Sequence, residues 1–265
     1  MSRLRGSLRL LVVGGFTSYR ALFNWLSPWI LVPVFVVDPL TQLLLFVYVG
    51  RSARLADDSF FVIGNALLAV AVPCLFGMTI AIGDERRQGT LPLLLVSPAA
   101  RVPLFLGRAL PVILNGVAVS VLGITLGALL LDVDLPPATW LPLLIAVVVT
   151  AFSCTGLGLV AAALGLRARE STLSSNVLIG VLLIFTGANV PRDALPGWMT
   201  AVGDVLPITH GIAAARTIAA GGGLADAAPD LVAEAVVGLV SAAVGLVMLR
   251  MFEAESRRRA TLELA

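Results

Sequence analysis

Long uninterrupted apolar runs alternate with short polar breaks along this chain. Six of the runs, at about 28–49, 60–82, 110–131, 140–164, 173–190 and 231–251, are long enough to cross ~30 Å of hydrocarbon as helices. Their apolar residues follow one another without the alternation of a lipid-facing strand, which excludes a β-barrel. The pattern predicts an all-α polytopic membrane protein with six transmembrane helices in one domain, 28–251. Ahead of it, residues 1–27 set Arg3, Arg5, Arg9 and Arg20 among Leu8, Leu11, Phe16, Tyr19, Leu22, Phe23 and Leu26. From Phe16 the apolar positions recur at helical spacing, so a basic amphipathic helix on the cytoplasmic interface is expected there. A signal peptide is the alternative, but the run from Leu10 to Gly15 is short and no small-x-small cleavage site follows it. After the last run, a cytoplasmic tail over 252–265 carries Arg257, Arg258 and Arg259, which suits anchoring at the interface.

Two connections depart from this rhythm. The first, 83–109, opens with Asp84, Glu85, Arg86 and Arg87, passes through Gly89, Thr90 and Leu91 into an apolar run, and stops at Ser97-Pro98. It is too short to be a domain. Leu91, Leu94 and Leu95 would form an apolar face with flanking charge, able to sit in a partner's groove and carry rigid-body motion to the spans on either side. A loop adsorbed on lipid is the bland alternative, which Asp84 and Glu85 would oppose on an anionic surface. The second connection, 191–229, is too apolar for an aqueous loop (Leu195, Trp198, Met199, Val202, Val205, Leu206), yet Pro196, Pro207 and Gly211 break it. Two short helices that dip into the outer leaflet and return would satisfy both facts. Non-helical backbone at that depth is tolerated only where protein or a water-filled cavity covers it, so a cap on the outer side is expected.

Composition narrows the chemistry. Hydrophobic residues make up 58% of the chain and charged ones 13%, with a mean hydropathy of +1.00, far from the soluble norm. All 18 basic residues are arginine, so the phosphate-binding loop G-x-x-x-x-G-K-[ST] cannot be built, and any ATP hydrolysis must come from another polypeptide. A net charge of +2 makes no case for nucleic acid. If both termini lie in the cytoplasm, only Arg51, Arg54, Arg192 and Arg216 fall outside, as the positive-inside rule asks. Cys74 and Cys154 fall in apolar runs and read as small core hydrophobes. His210, the sole histidine, has no cysteine or carboxylate at ligand spacing, so a satisfied polar residue is expected rather than a metal site. No run holds paired carboxylates, a Ser/His pair or a ligand cluster, which argues against catalytic residues and an intramembrane lipid-modifying enzyme.

Polar residues inside the runs remain to be placed. Asp38 lies near the middle of the first run, where a carboxylate costs at least a few kcal/mol unless it faces protein or water. Either it lines a polar pathway and attracts a cationic substrate, or it satisfies backbone donors freed by Pro39. Gln42, Asn65, Asn115, Asn176, Thr186 and Asn189 are explained most simply by interhelical hydrogen bonds of ~0.6–2 kcal/mol each. Gly116, Gly123, Gly127, Gly156, Gly158 and Gly165 suit close approach of helix backbones.

Glu85-Arg86-Arg87-Gln88-Gly89-Thr90-Leu91, followed by Ser97-Pro98, Arg101 and Gly107-Arg108, resembles the cytoplasmic loop of ABC-2-type transporter permeases. Thr186-Gly187, Pro191, Leu195-Pro196, Trp198, Leu206-Pro207, Thr209 and Arg216 look like the same family's pattern after its fifth span. Departures are Pro92, where an acidic residue is usual, Ala188-Asn189-Val190 in place of bulkier residues, and His210, where an aromatic is common. The resemblance implies a multi-pass permease of the bacterial plasma membrane, paired with a second permease chain as a homodimer or a related heterodimer. It further implies two copies of an ABC ATP-binding subunit, which would hold ATP and magnesium; this chain would carry no cofactor. That subunit would engage a coupling helix built on Asp84, Glu85, Arg86, Arg87, Gly89, Thr90, Leu91, Leu94 and Leu95. The family likeness places Asp38, Gln42, Asn65, Asn176 and Thr186 on the substrate pathway, and Pro191, Pro196, Trp198, Pro207, His210 and Arg216 in a re-entrant cap. The cargo expected is a hydrophobic or amphipathic small molecule of drug type. A lipid-linked polysaccharide is the alternative, slightly disfavoured by an aromatic content of 6%. The short connections favour a hydrophobic cargo drawn from the inner leaflet.

Overall fold

The computed structural model describes residues 33–87, 101–168 and 171–259, and every regular element among them is helical. A π-helical turn, Pro33–Val37, leads into α1 (Asp38–Ala53), followed by α2 (Asp58–Leu68), α3 (Ala71–Arg87) and α4 (Arg101–Leu131). A 3-10 turn at Pro137–Thr139 opens α5 (Trp140–Ala168), and α6 (Ser171–Phe185) follows. Beyond a second 3-10 turn, Arg192–Ala194, lie α7 (Gly197–Asp204), α8 (Thr209–Ala219) and α9 (Leu224–Arg259).

Four stretches are long and apolar enough to cross a membrane: Asp58–Gly83, Ala109–Leu131, Pro137–Gly165 and Leu224–Phe252. They coincide with four of the six predicted spans. The first and fifth are shorter helices among the described residues, 16 residues in α1 and 15 in α6, against the ~20 that a straight crossing needs. The helical backbone of α1 continues directly from the π-helical turn at Pro33–Val37, and Pro39 lies in its first turn, where a missing N–H is harmless. α6 ends at Phe185 because Gly187 turns left-handed, with φ at +75°. The predicted extension to 190 is instead a buried bend.

Other boundaries also shift. The predicted span at 60–82 is two helices, α2 and α3, because Pro73 offers no N–H to the carbonyl four residues before it. α3 continues through Arg87 and α4 begins at Arg101, so the predicted connection 83–109 is largely helical at both ends. Asp84, Glu85, Arg86 and Arg87 close α3. Gly89, Thr90, Leu91, Leu94 and Leu95 lie outside the described residues, as do the expected interface helix at 1–27 and the last residues of the tail. α9 takes in both the end of the predicted 191–229 connection and part of the predicted tail, running from Leu224 to Arg259 with Pro229 accommodated in its second turn.

α5 is the hub of the bundle, packed against α3, α4, α6 and α8, with α9 as its most extensive partner. The α5–α9 seam is backbone against backbone. A Cβ on Gly156 would lie 2.6 Å from the Gly238 carbonyl oxygen, and one on Gly245 would lie 2.6 Å from Leu159 Cβ. Small residues give membrane helices this closeness where lipid supplies no hydrophobic drive to associate. Cys74 and Cys154 are free and buried in the core, with Cys74 Sγ donating to the Ala151 carbonyl at 3.6 Å. Connectivity gathers the ends of α1, α4 and α6 and the starts of α2, α5 and α9 at one end of the bundle, together with α7 and α8. This is the cap end. The end of α3 and the start of α4 mark the opposite, charged end.

Candidate functional site: polar anchors at the cap end

α8 is an 11-residue helix wedged among α2, α5 and α9, and polar groups hold it near both of its ends. Towards its C-terminal end, Arg216 Nη1 donates to the Gly187 carbonyl at 2.9 Å. Its Nη2 donates to the carbonyls of Ala188 at 3.0 Å and Phe60 at 3.1 Å. The guanidinium also lies 3.4 Å from the Phe60 ring centroid, a cation–π contact. The physical need is plain. The bend after α6 exposes carbonyls that no helix uses, and an unsatisfied carbonyl in hydrocarbon costs several kcal/mol. A planar guanidinium with five N–H donors can serve several of them at once.

α2 contributes bare backbone and one amide. A Cβ on Gly64 would lie 2.4 Å from the Ala188 carbonyl oxygen and 2.7 Å from Arg216 Nη2. In the next position, Asn65 Nδ2 donates to Asn189 Oδ1 at 2.9 Å and to the Phe61 carbonyl at 3.0 Å. Thr186, also buried and just past the end of α6, donates to the Leu182 carbonyl of that helix at 2.7 Å. At the start of α8, Glu234 of α9 accepts from the backbone amides of Ile208, at 2.7 Å, and Gly211, at 2.9 Å.

The remaining predicted residues are placed as follows. His210 Nε2 donates to the Asp204 carbonyl at 3.0 Å, while its Nδ1 lies 3.8 Å from Asp230 Oδ1. Arg192 pairs with the Asp204 carboxylate. Trp198 is exposed and meets Phe185 edge-on, with ring centroids 5.8 Å apart. Pro191 is half-buried, Pro196 precedes α7, and Pro207 is buried just before α8. Asp38 is exposed in the first turn of α1, Gln42 is half-buried one turn later, and Asn176 is exposed on α6. The structure brings Asn65, Thr186 and Arg216 to one place, and leaves Asp38, Gln42 and Asn176 on other surfaces.

Sequence reasoning gave Asn189 an interhelical hydrogen bond without naming its partner, and the structure supplies Asn65. It missed two members of this arrangement. Gly64 carries no polar atom, and only the bend packed on it reveals its role. Glu234 sits close to the predicted start of the last span, where a carboxylate is cheap. Its distance from Asp230, one helical turn, was the available signal.

A helical bundle with spans of membrane length and two short helices packed at one end defines a polytopic membrane protein. The ABC-2 type transporter family matches residues 18–219, and the chain belongs to that family of transmembrane transport components. It is 26% identical over 156 residues to the probable multidrug ABC transporter permease YbhR of Escherichia coli strain K12, and equally to the protein of that name in Escherichia coli O157:H7. The match covers 58% of this chain and 42% of each relative, so the chain spans less than half the length of the curated relatives it matches.

Proposed function

We propose that the chain is the permease subunit of an ATP-driven exporter of hydrophobic or amphipathic small molecules. The observation that carries this reading is the family match over residues 18–219. Two permease chains would form the pathway, and two copies of a separate ATP-binding subunit would supply the nucleotide chemistry with magnesium. Both termini and the charged end would face the cytoplasm of a bacterial cell, and α7 and α8 would form the cap over the outer leaflet.

Support for the coupling role is chemical. Asp84, Glu85, Arg86 and Arg87 close α3, one helix with the end of the second predicted span, so force applied there reaches the bundle directly. The chain's likeness to probable multidrug permeases favours drug-like cargo. Asp38, Gln42 and Asn176 remain candidates for the pathway, because their side chains are accessible to a second permease chain or to cargo. Asn65 spends its amide N–H donors and Thr186 its hydroxyl within the bundle, which favours a structural part for them.

The test is purification of the complex from native membranes, followed by reconstitution with the lipophilic cation ethidium as cargo probe. A stoichiometric ATPase and ATP-dependent ethidium movement are expected, and a chain that purifies alone and moves nothing refutes the proposal. Glu85→Arg should abolish ethidium-stimulated hydrolysis while leaving assembly intact.

A further inference from the structure

We propose that Glu234 is the positioning residue that ties the cap helix α8 to the last span, so that α8 follows α9 during the export cycle. This rests on the exporter reading for its role, but not for its geometry.

A helix leaves its first N–H groups without intrahelical partners, and a local polar side chain at the N-cap ordinarily serves them. In a capping box two side chains of the same helix serve the N-cap and N3 amides reciprocally. α8 has neither device. Its N-cap is Ile208, whose side chain cannot accept a hydrogen bond, and no side-chain cap is made. Glu234 replaces both from another helix. One carboxylate oxygen takes the Ile208 amide and the other takes the Gly211 amide, the N-cap and N3 positions. The side chain is fully buried, and its negative charge meets the positive end of the α8 dipole.

Two further features remove slack from the joint. Ile208 has φ at +78°, which is unfavourable for a β-branched residue and persists only where the surroundings dictate it. Gly211 presses on α5, since a Cβ there would lie 2.0 Å from Thr150 Oγ1. At its far end α8 is pinned by Arg216 to α2 and to the 186–190 bend. α8 is therefore a short bar with a carboxylate joint to α9 at one end and a guanidinium joint to α2 and the bend after α6 at the other. Any shift of α9 against α2 must carry the bar or break a joint. The chain supplied no capping residue of its own at Ile208, so the start of α8 is held in place by α9 and not by its own sequence.

Hydrogen exchange on the full chain in lipid nanodiscs tests the joint without any ATPase. In the wild type, the Ile208 and Gly211 amides should exchange at least tenfold more slowly than those of exposed α7. Equally fast exchange overturns the proposal. In Glu234→Gln, which keeps one acceptor oxygen, exchange over 206–212 should rise at least tenfold while the turn around Arg216 stays protected. Unchanged exchange at 206–212 also overturns it. Should Glu234→Gln fail to fold, Glu234→Asp, with both oxygens drawn back by one methylene, is read in the same way.

In the complex purified from native membranes, Glu234→Gln should lower the maximal ethidium-stimulated ATPase rate at least fivefold. Basal rate and the ethidium concentration for half-stimulation should stay within twofold. A parallel fall in all three, together with the melting temperature, would reduce Glu234 to a structural cap and refute the positioning role. Protected Ile208 and Gly211 amides in a wild-type chain that binds no ATPase would instead refute the exporter reading and leave the joint standing.

Discussion

At Gly64 a methyl group would come within 2.4 Å of the Ala188 carbonyl oxygen, and that carbonyl is already held by Arg216. Neither neighbour can step aside cheaply, because one is backbone and the other serves three carbonyls at once. Gly64→Ala is therefore expected to destabilise the bundle by about 1–3 kcal/mol, the usual cost of overpacking. In a chain of this size that is a fall of several degrees in a detergent melt. Gly180→Ala is the control: nothing lies within 4 Å of its Cβ position, and its melting temperature should not fall. Removing the guanidinium has a larger expected effect. Arg216→Ala strands the Gly187, Ala188 and Phe60 carbonyls at about 1–3 kcal/mol each. The same melt should place it below Gly64→Ala. Arg216→Lys should fall between wild type and alanine, since an ammonium keeps the charge but loses the planar fork that reaches several acceptors. Lysine performing as well as arginine would show that charge alone holds the bend.

Helix by helix, what the sequence could disclose divides along a physical line. Helical class and four of the spans were legible, because continuous apolar character over 20 or more residues has few other solutions in a membrane. Pro73 and Gly187 are residue types that can break a helix, yet their consequence depends on which groups accept the freed backbone atoms. Those groups are remote: Asn65 meets Asn189 across 124 positions and Glu234 reaches Ile208 across 26. No local window contains such a pairing, so α6 was drawn too long and the Glu234 joint was missed. The glycines were read correctly as packing positions, but their ranking needed the partner. On α5, a Cβ at Gly156 would lie 2.6 Å from the Gly238 carbonyl oxygen, while on α4 a Cβ at Gly123 meets only Ala66, its Cβ at 3.3 Å and its Cα at 3.4 Å. Gly156→Ala should thus lower the melting temperature clearly more than Gly123→Ala. Equal losses would mean that α5 and α9 can part without cost, contrary to the closeness of their seam.

For the molecule as a whole, the open quantity is which end faces the cytoplasm, and its charge distribution makes one orientation far cheaper. Arg86, Arg87, Arg101 and Arg108 lie at or next to the charged end along the chain, whereas the cap end holds Arg54, together with Arg51 and Arg192, which are each paired with an aspartate, and Arg216 drawn inward. A surplus of arginine at one end is the asymmetry that guides insertion, and it leads to the expectation that this end lies inside. Cysteine labelling can read this directly, because the two native thiols are 0% exposed and should stay silent to a membrane-impermeant maleimide. Ala220→Cys, on the exposed turn after α8, should react in intact cells. Gln88→Cys, just beyond α3, should react only after the membrane is permeabilised. The reverse pattern would invert the orientation and with it the assignment of the cap. Reaction of both in intact cells would mean that the helices between them do not separate the two ends, and the bundle could not then serve as a barrier across which cargo is moved.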